Sequence, residues 1–227
     1  MTARLRWAEQ HLNYRFANPG LLEQALTHRS ASKTNNERLE FLGDALLTFL
    51  IARQLYESRP ADKEGDLSRL RAELVKGETL AQIGLELGFE DRVILGAGES
   101  RSGGARRTSV LANAFEAVIG AVLLDGGVAA AETCATKIFA ERLGDLPEAA
   151  SLKDPKTKLQ EWIQGRGLGL PTYVVESVVG EPHQQSFTVV CRVPERQAEV
   201  CGEGDSRRRA EQDAAERMLS ILSSEHE

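Results

Sequence analysis

Two hydrophobic periods divide this chain, and the division restricts its fold more than any other feature. Up to about residue 143 apolar residues recur at helical spacing; beyond about residue 170 they alternate. Segments 37–58, 64–75 (Leu67, Leu70, Leu74, Val75) and 77–87 each carry the spacing of a one-faced helix. Asn18-Pro19 fits an N-cap followed by proline at the first helical position, opening LLEQALTH. Gly88 fits the C′ residue that ends 77–87. A Gly/Ser/Arg loop over 96–109 leads to VLANAFEAVIGAVLLDGG, read as one helix, and another covers roughly 128–143. The stretch LGDLPEAASLKDP (143–155) reads as a linker. A helix over 156–165 follows, then strands in PTYVVESVV, QSFTVVCRV and RQAEVCGEG. The last helix, SRRRAEQDAAERMLSIL, sets Ala210, Ala214, Met218 and Ile221 near one face. The expected architecture is an all-α domain over 1–143, a linker over 144–154 and a small α+β domain (α-β-β-β-α) over 155–227.

Hydrophobic residues make up 41% of the chain, enough for a real core in each part. No run approaches the roughly 18 apolar residues of a membrane span, and the charged N-terminus MTARLRWAEQHLNY lacks a secretory apolar segment. No membrane association is expected. Three scattered cysteines, Cys134, Cys191 and Cys201, without a CxxC pair, read as reduced thiols of a cytoplasmic protein. The four scattered histidines (His11, His28, His183, His226) argue against a zinc site. Net charge is −6, with 18 basic and 21 acidic residues in 1–150 and 10 and 13 beyond. A polyanionic partner would therefore have to be met by local basic clusters or metal ions, not by a general positive field.

Within ERLEFLGDALL (37–47), Glu37, Glu40 and Asp44 fall in an arc of about 60° on a helix, and that arc continues with Leu47, Ile51 and Leu55. Carboxylates at the end of an apolar stripe repel one another unless a cation joins them. A second set, Asn113 and Glu116, stands at i, i+3 in VLANAFEAVIG, on a face continuing with Gly120, Leu123 and Leu124. Oxygen donors from Asp, Glu and Asn on two helices suit Mg²⁺, with Mn²⁺ able to substitute, and such an ion promotes phosphoryl chemistry. Structural ion pairs with Arg38, Arg69 or Arg71 explain the same acids equally well from residue types alone. The loop GAGESRSGGARRTS matches neither GxGxxG after a strand nor GxxxxGK[ST], so no nucleotide cofactor is expected.

The nine residues ERLEFLGDA (37–45) resemble the signature of the bacterial ribonuclease III family. ALTHRS (25–30), EGDLSRLRAELV (64–75), GESRSGG (98–104) and LANAFEAVIGAVLLDGG (111–127) match it in order and spacing. The C-terminal part is similar to a double-stranded-RNA-binding domain, so the resemblance covers nearly the whole chain. It implies a homodimeric, Mg²⁺-dependent endonuclease that cuts both strands of duplex RNA, leaving staggered 5′-phosphate and 3′-hydroxyl ends, in the processing of ribosomal precursors and some messages. By the same resemblance Glu40, Asp44, position 113 and Glu116 bind metal, with Asp44 and Glu116 most tied to catalysis. Phe41 enters the partner subunit, and Glu37 and Glu64 line the cleavage groove. For Phe41 an ordinary core role, and for Glu64 a solvated surface, fit the sequence as well. Arg101, Arg106 and Arg107 fit either RNA backbone contacts or a solvated loop.

Position 113 departs from the family pattern, which usually has Asp there. Asn offers a carbonyl oxygen and one charge fewer, so weaker metal binding and slower turnover are expected. Two rival readings follow: a catalytically silent duplex-RNA-binding protein, or a helical phosphohydrolase of nucleotides whose second domain makes only protein contacts. In that second domain, Arg207 and Arg208 match the first two lysines of the family's Ser-Lys-Lys-x-Ala-Lys element, at a helix N-terminus whose N–H groups favour phosphate. The third lysine position is Glu211, expected to remove one phosphate contact and add repulsion. Thr157, Gln160 and Gln164 share a helix face and match residues that read the minor groove of A-form RNA. His183 matches a second contact of that kind.

Overall fold

The structure, a computed structural model, describes residues 3–181 and 183–224. His226 lies outside them, as does Pro182 in the turn that carries His183. Contacts divide the chain between Ala149 and Ala150 into two compact units.

The first unit is helical: α1 (Ala3–His11), α2 (Pro19–Ala25), α3 (Glu37–Ser58), α4 (Glu64–Val75), α5 (Gly77–Glu86), α6 (Ala97–Arg101) and α7 (Thr108–Gly144). Asn18 caps α2 as its sequence suggests, accepting the Gly20 N–H at 3.0 Å. Leu87 is the C-cap of α5, and Gly88 beyond it is left-handed (φ 70°), a conformation that favours glycine. The apolar stripe of α3 is buried at Leu47, Ile51 and Leu55. It packs against α7, whose Phe115, Val118 and Ile119 are also fully buried.

These two helices meet backbone to backbone. A Cβ on Gly43 would overlap the Glu116 carbonyl, and one on Gly120 would overlap the Leu39 carbonyl. Only glycine permits this approach, and it sets the acid-bearing turns of α3 and α7 side by side.

Three expectations change. The helices read over 110–127 and 128–143 are one long α7, kinked where Gly127 takes φ 79°. Among the described residues α7 is long and apolar enough to cross a membrane, but half of that stretch is buried inside the unit against its neighbours. The loop at 96–109 contains α6 and a 3-10 turn over Gly104–Arg106. Leu124, expected on the inner face, is 57% exposed.

The second unit holds α8 (Pro155–Gln164), β1 (Thr172–Val179), β2 (Ser186–Val193), β3 (Ala198–Gly204) and α9 (Arg207–Ser224). The strands form an antiparallel meander in the order β1-β2-β3, with a register irregularity between Val175 and Ser177. Leu159 and Ile163 of α8, Cys191 and Val193 of β2, and Ala214, Met218 and Leu222 of α9 make its core. This is the α-β-β-β-α order that the alternation implies. Ile221 is exposed and Leu222 takes its expected place, since the buried positions 210, 214, 218 and 222 keep strict four-residue steps. Gly202 leaves no room for a Cβ against the Ala210 carbonyl at 2.5 Å, so α9 lies directly on β3.

Candidate functional site

The glycine crossing brings Glu40, Asp44, Asn113 and Glu116 into one electrostatic neighbourhood. Glu116 is half-buried, and its carboxyl is pushed up to about 7, first by burial and then by the charges of Asp44 and Glu40. Glu40 is also raised, by burial and by Glu37, although a hydrogen bond from Asn113 and the charge of Arg29 work against the rise. Asp44 stands exposed at the edge of the group. No ion pair among the described residues joins Glu40, Asp44 or Glu116 to a basic side chain. Arg69, one of the alternative partners, instead pairs with Asp66 at 2.5 Å. The structural-ion-pair reading therefore fails for these three acids.

Two concavities flank Asn113. One, of about 320 Å³, is lined by His28, Arg29, Asn36, Glu37, Glu40, Ser109, Val110 and Asn113. The other is an open cleft whose lining includes Asn113 and Glu116 together with Lys76, Glu78, Arg106 and Arg107. Glu116 thus shares a cleft with three basic side chains, each also paired with a carboxylate: Lys76 with Glu73, Arg106 with Glu90 and Arg107 with Glu99. The donor set, three carboxylates and one amide oxygen, is all hard oxygen and fits Mg²⁺ or Mn²⁺. As they stand, no three His, Cys, Asp or Glu side chains among the described residues close on a single point. The amide of Asn113 supplies a further oxygen donor that is not acidic.

Residues 18–143 match the Ribonuclease-III-like family, and residues 155–222 match the double-stranded RNA binding motif. The chain belongs to the ribonuclease III family. It is 56% identical over 229 residues to Ribonuclease 3 of Nitrosococcus oceani, covering 100% of this chain and 98% of that protein. Against Ribonuclease 3 of Vibrio cholerae it is 49% identical over 222 residues, covering 98% and 99%. The nuclease domain of ribonuclease III from Campylobacter jejuni superposes with a TM-score of 0.61 at 39% identity, over 64% of this chain and 100% of that one. A second structure of that domain, described for flexibility in a region involved in dimer formation, gives 0.60 at 40%, over 62% and 99%. The ribonuclease III fold and its nuclease type are those expected from the signature.

Other expected site residues fall as follows. In this ribonuclease III chain Phe41 is 79% exposed, so the core reading of that residue is wrong. Glu37 is exposed, 3.7 Å from Arg29. Glu64 lies apart from the acids, bonded to Ser68 at 2.8 Å in a separate hollow with Tyr56 and Arg71. Arg106 pairs with Glu90 and Arg107 with Glu99, each at 2.7 Å, while both border the Glu116 cleft. Arg101 turns back to the Ala97 carbonyl at 3.1 Å. In the RNA-binding unit Thr157, Gln160 and Gln164 are all exposed along one face of α8, and His183 is exposed in the β1–β2 turn. Arg207 and Arg208 project from the first turn of α9.

Glu211 is corrected: it is a buried side chain held by Lys156 and Arg207, not an outward carboxylate facing the phosphates. Sequence reasoning also missed His28, Arg29 and Lys76 as lining residues. The ALTHRS segment was the available signal for the first two, but nothing in its spacing shows that it folds back beside Glu40.

Proposed function

We propose that this protein is an Mg²⁺-dependent endoribonuclease that cleaves both strands of double-stranded RNA, with Mn²⁺ able to substitute. Glu40, Asp44, Asn113 and Glu116 would hold the ion. A bound Mg²⁺ supplies Lewis-acid stabilisation of phosphoryl charge and a more acidic water. With its carboxyl raised to about 7, Glu116 is partly protonated near neutral pH, and it would hold the ion as the carboxylate. The Asn113 amide works against the rise of the Glu40 carboxyl, and its carbonyl would act as an oxygen donor to the ion. Arg106, Arg107 and Lys76 line the same cleft as Glu116, where they would position the RNA backbone. The observation that carries the reading is the Glu116 carboxyl, raised to about 7 first by burial and then by the charges of Asp44 and Glu40, in a cleft that Lys76, Arg106 and Arg107 also line.

Ends with 5′-phosphate and 3′-hydroxyl, and roles in maturing ribosomal and messenger precursors, are part of the same proposal. So is a homodimer. Phe41, Phe49 and Tyr56 are exposed by 79%, 55% and 74% along one face of α3. Such an apolar stripe suits a second copy of the chain. The test is cleavage of a long duplex RNA with and without Mg²⁺. Glu116→Gln should abolish cutting while leaving duplex binding intact. Binding without any cutting by the unchanged protein would favour the silent binding protein.

A further inference from the structure

The RNA-binding unit carries an ion network that counting charges would misread. Glu211 is 9% exposed, and its two oxygens are divided between Lys156 Nζ of α8 at 2.6 Å and Arg207 Nε of α9 at 2.9 Å. Beside it Asp154, the N-cap of α8, accepts from Gln212 of α9 at 2.6 Å and stands 3.9 Å from Arg208. The two helix N-termini are therefore tied to each other by side chains of both.

The Arg207 arrangement has a direct chemical consequence. A guanidinium bonded through Nε keeps its two terminal nitrogens free as a fork that matches a phosphate. Arg207 is 65% exposed on its side chain while its Nε is held. We propose that Glu211 is a positioning residue for duplex-RNA binding, presetting Arg207 toward the phosphate backbone and fixing α9 relative to the groove-reading face of α8. The inference rests on the reading of this unit as a duplex-RNA binder. It reverses the expectation drawn from the missing lysine: the acid at 211 strengthens RNA binding.

The test measures duplex-RNA affinity of the full chain across salt concentrations, for the unchanged protein, Glu211→Gln and Glu211→Lys. Both variants make the protein more positive. The predicted result is nevertheless weaker binding, about fivefold for Glu211→Gln and more for Glu211→Lys, with a salt slope shallower by about one. In cleavage assays KM should rise with kcat unchanged. The Arg207 Nε–H resonance should also lose its ion-pair shift in Glu211→Gln, a readout that does not depend on RNA. Tighter binding by either variant with a steeper slope would overturn the inference and return Glu211 to the role of an absent lysine. Failure of the unchanged protein to bind duplex RNA would overturn the RNA reading itself, and appears before any substitution is made.

Discussion

Glu116 couples the protein's stability and its metal affinity to pH. Its carboxyl is raised to about 7, so in the metal-free protein it contributes stability that is present below the ordinary carboxyl range and lost as pH rises through about 7. Thermal unfolding in a chelator should show the melting temperature falling between about pH 4.5 and 7, a fall that Glu116→Gln removes. Metal binding displaces that proton, so Mg²⁺ affinity measured by calorimetry should increase with pH up to about 7 and then level. Asn113→Asp should tighten the metal and raise the rate, because it adds a charge to a site already built for one. Asn113 and Glu116 were legible in the sequence as oxygen donors three residues apart. Glu211 was legible only as a wrong charge; its inward aim depends on a packing position that residue type does not reveal.

At the scale of elements, the site depends on how closely α3 and α7 approach. Gly43→Ala would force a methyl into the Glu116 carbonyl, and should cost about 3 kcal/mol in urea unfolding as well as most of the cleavage activity. The stripe Leu47, Ile51, Leu55 was readable from periodicity alone, since a buried helix face repeats whatever it packs against. The crossing was not, because a glycine in a sequence does not name its partner. The continuity of α7 was hidden for a related reason: Gly126-Gly127 reads as a stop, while the chain uses Gly127 as a kink and continues. Asp125, just before it, accepts from Tyr14, Ala17 and Asn18 at 2.7–2.8 Å and ties the N-terminal segment to α7. Burial pushes its carboxyl up, but the Asn18 and Ala17 N–H groups and the Tyr14 hydroxyl more than offset this and leave it below the usual range. That contribution should fade as pH falls through the folded value, and Asp125→Ala should lower stability by about 2 kcal/mol in the same assay.

For the whole molecule, a nuclease that cuts both strands needs two acid clusters, and one chain carries one. In the proposed homodimer the exposed aromatic stripe of α3 would supply the surface for a second copy. Replacing Phe41 and Phe49 with Asp should shift the protein to a monomer in light scattering and reduce double-strand cleavage by at least about tenfold. The division into a helical and an α+β unit was open to a reader of the sequence, because the hydrophobic period itself changes. The measurement that bears most directly on the central claim is cleavage of a long duplex RNA by the purified protein with Mg²⁺, beside Glu116→Gln and Asn113→Asp. The expected result is cutting by the unchanged protein, none by a Glu116→Gln variant that still binds, and faster cutting by Asn113→Asp. Duplex RNA bound but left intact by both the unchanged protein and Asn113→Asp would contradict it.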